Sequence, residues 1–86
     1  MPLYFSAHTT ACLTKQALRQ LMQELLASTD VKVRRAVASQ TGGRMLLESE
    51  VADLASLEKW FASRWINVEW IMRIDLDAHN GSVTEY

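Results

Sequence analysis

From Trp70 to Asp77 the chain alternates without a break, with Trp70, Met72, Ile74 and Leu76 on one parity and Ile71, Arg73, Asp75 and Asp77 on the other. A period of two belongs to an extended strand whose successive side chains point to opposite faces. Because the first set is wholly apolar, this strand predicts a sheet with one face that must be covered. In 86 residues only one core can be built, since a domain this short buries only roughly 60 % of the surface its unfolded chain would expose. The rest of the sequence must therefore pair with this strand or cover its apolar face.

Two segments read as cover. Thr14 is placed to cap a helix, with Leu13 stapled onto Leu18. Leu18, Leu21, Met22, Leu25 and Leu26 then recur as one apolar stripe. The stripe ends near Ser28-Thr29-Asp30, where side chains compete for backbone hydrogen bonds. Asp53 is placed to cap a second helix, lined on one face by Leu54, Leu57, Phe61 and Trp65. Trp60 lies at the edge of that stripe, where an indole can pack in the core or anchor a partner.

Three segments read as pairing strands. Leu3 to Thr9 alternates Leu3, Phe5 and Ala7, expected toward the core, with Tyr4, Ser6 and His8. Val31 to Ser39 and Arg44 to Val51 form a hairpin around Gly42-Gly43, whose glycines accept the positive φ angles of tight turns. Arg34-Arg35 interrupts the first arm, leaving two readings: an unbroken strand with Arg35 inward, or a bulge that turns Ala36 and Ala38 inward. Asn80-Gly81 predicts a second tight turn and a short fifth strand.

The expected fold is thus a single α+β domain, residues 1–86, with the order β-α-β-β-α-β. Right-handed crossovers give the antiparallel strand order 4-1-3-2, with both helices on one face, which is the ferredoxin-like arrangement. The uncovered face is then expected to carry Tyr4, Ser6 and His8 from the first strand, Leu46 and Glu48 from the third, and Ile71, Arg73 and Asp75 from the fourth, joined by Arg34 or Arg35 of the second. Such a mixture of apolar and polar groups suits the wall of a small-molecule pocket closed by a second copy. His8, with an ordinary pKa of about 6.5, is the candidate general base, oriented by Glu48 or Asp75, and Arg73 the candidate anion anchor. The competing reading is a solvated face on which Arg73 pairs with Asp75 or Glu48.

Charge and composition narrow the partners. Nine Lys+Arg against ten Asp+Glu leave a net charge of −1, so no long-range field draws the chain to nucleic acid or an anionic membrane. The third strand also lacks the outward aromatics with which an RNA-recognition sheet stacks bases. The charges divide along the chain, six basic and two acidic residues through Arg44 and three basic and eight acidic from Met45 onward, which predicts complementarity within the fold or between copies. The single cysteine, Cys12, allows no intrachain disulfide. With no membrane-length apolar run and no basic leader at the start, a cytoplasmic protein is expected. No cofactor is expected.

Two metal readings arise from the sequence. His8, Cys12 and His79 offer ligand chemistry for Zn²⁺ or Ni²⁺ at a spacing that matches no standard site, and they would suit a non-catalytic regulatory module instead of an enzyme. The run beginning at Asp75 fails as a calcium loop, because its glycine falls one position late and Tyr86 occupies the twelfth.

The Gly-centred hairpin, the segment Leu57-Glu58-Lys59-Trp60-Phe61 and the closing strand Trp70 to Asp77 with its polar tail resemble the dimeric α/β-barrel superfamily, which includes muconolactone isomerases and small cofactor-free monooxygenases. The resemblance covers most of the chain and implies a homodimer with pockets on its open faces, with isomerase or monooxygenase chemistry as the first expectation. It carries no catalytic motif onto these residues.

Overall fold

Thr14 and Asp53 start the two helices. In the computed structural model, which describes Met1–Tyr86, the Thr14 hydroxyl accepts the Ala17 N–H at 3.1 Å and opens α1, Lys15–Leu26. The Asp53 carboxylate accepts the Ser56 N–H at 2.8 Å and opens α2, Leu54–Ser63. Each cap satisfies an N–H that the first helical turn leaves without a partner.

Four strands, β1 (Leu3–Thr9), β2 (Lys32–Ser39), β3 (Arg44–Glu50) and β4 (Trp70–Ile74), form one antiparallel sheet in the order β2-β3-β1-β4. This agrees with the expected α+β class and with the strand order 4-1-3-2. A separate two-stranded sheet, β5 (Leu76–His79) and β6 (Ser82–Glu85), turns at Asn80 and Gly81, both at positive φ. The Asn-Gly turn is therefore where the sequence puts it. No helix is long and apolar enough to cross a membrane.

The hairpin interruption resolves as a bulge. The β2–β3 register shifts between Val33 and Arg35, so that Val33, Ala36 and Ala38 share a face while Arg35 and Val37 point the other way. One strand face and both helices share a core: Leu18 and Leu25 of α1 and Leu57, Trp60 and Phe61 of α2 join Tyr4, Val33, Met45 and Leu47 in a single buried cluster. Trp60 accordingly belongs to the core.

That cluster reverses two expectations about orientation. Tyr4, Ser6 and His8 pair with Ser49, Leu47 and Met45 and are buried on the helix side. Polarity misleads in β1 because Ser6 and His8 satisfy each other by a hydrogen bond in the core, and Leu3 and Ala7 on the other parity are buried as well. In β4, Ser6 faces Ile71 and Tyr4 faces Arg73, so Ile71 and Arg73 lie on the helix side and Trp70, Met72 and Ile74 on the other. The closing strand also breaks at Asp75, which lies between β4 and β5. Finally, α2 stops at Ser63, and Trp65 leaves the helix stripe to stand 95 % exposed.

Candidate functional site

Reading the register across the sheet gives the open face directly. One row runs Val37, Leu46, Ala7, Trp70 and the next Arg35, Glu48, Phe5, Met72. Paired residues on neighbouring strands lie side by side on the same face, so these rows form one continuous surface. Val37, Leu46, Trp70 and Met72 are between 37 % and 52 % exposed, an apolar band of the kind soluble monomers seldom leave bare. Within it lies a shallow cavity of about 230 Å³ bounded by Phe5, Arg35, Val37, Leu46 and Glu48. Neither Arg35 nor Glu48 forms an ion pair in the chain. Two unpaired opposite charges at the edge of an apolar hollow can orient a ligand or meet their counterparts across a two-fold axis.

Of the residues expected on this face, Leu46, Glu48 and Arg35 are there. Tyr4, Ser6, His8, Ile71 and Arg73 lie on the helix side, and Asp75 lies off the sheet. Arg73 reaches only Asp75, at 3.9 Å in solvent, so it is no anion anchor for the open face. Phe5, Val37, Trp70 and Met72 take the vacated places. Arg35 and Val37 were within reach of sequence, since the bulged reading sends them outward together. Trp70 and Met72 were not, because an apolar strand face reads alike whether a helix or a second molecule covers it.

His8 is not a base on the open face, because it is buried on the helix side. Its Nδ1 lies 2.7 Å from the Asn67 carbonyl oxygen, which can only accept, so Nδ1 carries the proton. Nε2 then accepts from the Ser6 hydroxyl, also at 2.7 Å. The ring meets Phe61 edge-on, with centroids 4.6 Å apart. Burial pushes the imidazole below its ordinary pKa, against smaller upward effects from the Asn67 carbonyl and the Glu69 charge. A neutral ring with both nitrogens engaged is a core group, and neither Glu48 nor Asp75 orients it. The metal reading fails on the same placement: His79 sits in β5, and no three His, Cys, Asp or Glu side chains come together as ligands.

No family model, characterised protein or solved structure matches the chain. The open face and its hollow stand on their own geometry. Charge complementarity does operate within the fold, because Lys32 and Arg34 meet Glu50 and Arg44 meets Glu69 at 2.8 Å. All three bridges join a cation of the first half to an anion of the second. They are partly solvated and worth little each.

Proposed function

We propose that this chain works as a ligand-binding homodimer of the dimeric α/β-barrel kind, with both helices over one sheet face and two open faces packed on each other around a small organic molecule. The observation that carries the reading is the exposed apolar band of the open face, where Val37, Leu46, Trp70 and Met72 of adjoining rows are 37–52 % exposed.

The composition of the face favours a second copy as the partner. An isologous interface needs a patch complementary to itself, and a band of Val37, Leu46, Phe5, Trp70 and Met72 with one cation, Arg35, and one anion, Glu48, meets that condition. Packing two such faces would close the hollow over Phe5 and leave Arg35 and Glu48 as its polar groups. A ligand with an apolar body and an acidic end suits that combination, because guanidinium binds planar anions through paired hydrogen bonds. With His8 in the core, the reading is one of binding, and no catalytic residue is assigned.

Anilinonaphthalene sulfonate, apolar with one anionic group, tests this. The wild-type protein is expected to bind it saturably at no more than two sites per dimer, and Arg35→Ala to weaken binding about tenfold, the order of one charge-assisted hydrogen bond. Unsaturable binding, or identical affinity in Arg35→Ala, would contradict the pocket.

A further inference from the structure

We propose that the trough between α1 and β2 binds a single-chain amphiphile with an anionic head, its chain lying along Leu18, Met22 and Leu26 and its head held by Lys15 and Arg19. The site is on the helix side of the sheet and does not depend on the open-face reading.

The trough follows from the size of two side chains. The bulge in β2 turns Ala36 and Ala38 toward the helices, and a methyl group is too short to cover the outer flank of α1. Leu18, Met22 and Leu26 recur every fourth residue and so form a line along that flank. Burial falls along the line, with Leu18 buried, Met22 half-buried and Leu26 50 % exposed. Together with Ala38 and Gln40 they bound an open cavity of about 360 Å³. Because β2 is the edge strand, no further strand closes the trough from the far side.

Charge is the second observation, independent of the first. Lys15 and Arg19 border the same trough one helical turn apart, and like charges at that spacing weaken a helix. Lys32, Arg34, Arg44 and Arg73 each meet a carboxylate, whereas neither Lys15 nor Arg19 does. No acidic residue borders the trough, and its remaining polar side chains, Gln23 and Gln40, are neutral. The opening turn of α1 carries no acid either, so the positive end of the helix adds to the field of the two cations. An anion between them relieves their repulsion, and a cation there adds to it.

The shape of the ligand follows from where these groups stand. The cations are at the start of α1, and Leu26 is its last residue. From Arg19 to Leu26 the helix advances about 10 Å, the length of roughly eight extended methylenes. A head at one end and an apolar line of that length call for a linear amphiphile, and the flexible Met22 side chain can adapt to the chain lying over it.

Decanoate, below its micelle concentration, tests this in protein carrying carbon-13 methyl groups on its methionines. Met22 reports on the trough and Met72 on the open face. Decanoate should shift the Met22 methyl signal saturably. Decyltrimethylammonium, with a similar chain and the opposite charge, should bind there roughly tenfold less well, and hexanoate, with a shorter chain, weaker by roughly tenfold or more. Replacing both cations, Lys15→Gln with Arg19→Gln, should weaken decanoate roughly tenfold, the worth of two exposed ion pairs. Ala38→Leu fills the trough and should abolish the Met22 titration while its melting midpoint stays at or above that of the wild type. Arg35→Ala and Leu46→Asp alter the open face and should leave the Met22 titration unchanged, which separates this site from the one proposed there. No saturable shift at Met22, an equal response to the cationic amphiphile or to hexanoate, unchanged affinity in either trough variant, or a Met22 response lost in an open-face variant would overturn the proposal.

Discussion

Ser6 and His8 sit two residues apart on one strand, and their side chains meet at 2.7 Å inside the core. The pair explains why the alternation of β1 points the wrong way: polarity marks an outward face only when polar groups must find water, and these find each other and the Asn67 carbonyl instead. Nothing in the sequence announces the third partner, which is 59 residues away. The arrangement has a pH signature. Burial depresses the His8 pKa, so the unfolded chain takes up the proton more readily than the native one. The contribution to stability is fully present above the unfolded value of about 6.5 and declines as pH falls below it. Urea unfolding at pH 7.5 and pH 5.5 should show the midpoint dropping in the wild type and a shallower drop in His8→Gln; equal drops would place the imidazole elsewhere. His8→Ala should cost about 2–4 kcal/mol at pH 7.5, from the lost packing and the unpaired Ser6 hydroxyl.

Elements whose instructions are local were legible in the sequence. Thr14 and Asp53 cap the helices they precede, and Asn80-Gly81 turns the terminal hairpin. The bulge was legible as a choice between two registers, and the pairing of Ala36 with Leu47 and of Ala38 with Met45 decides it. The β2–β3 turn also does more than reverse the chain. Gly43, at φ +66°, accepts the Thr10 N–H at 2.8 Å, and a Cβ there would lie 3.0 Å from the Ala11 Cβ and 3.2 Å from its Cα. The turn is thereby fastened to the loop that leads from β1 into α1. Gly43→Ala should destabilise the chain by about 2 kcal/mol, through left-handed strain and the displaced loop. Chemical denaturation measures this, and a loss below a few tenths of a kcal/mol would mean that the loop yields freely.

The molecule as a whole has two apolar sheet faces where a monomer of this size needs one. The sequence shows both sets of apolar residues but not which set the helices take, because burial against a helix and burial against another subunit select the same side chains. Strand pairing settles the orientation: once β1 lies between β3 and β4, the clean alternation of β3 dictates the faces of its neighbours. Leu46 and Glu48 were correctly placed because Met45 and Leu47, the more apolar parity of that strand, are the ones that join the core. The central claim is that a second copy covers the open face. Sedimentation equilibrium at micromolar concentration should give twice the chain mass of 9.8 kDa, and Leu46→Asp, which sets a carboxylate in the middle of the band, should give the single mass with unchanged far-ultraviolet circular dichroism. A wild-type protein that stays at 9.8 kDa throughout that range would contradict the account.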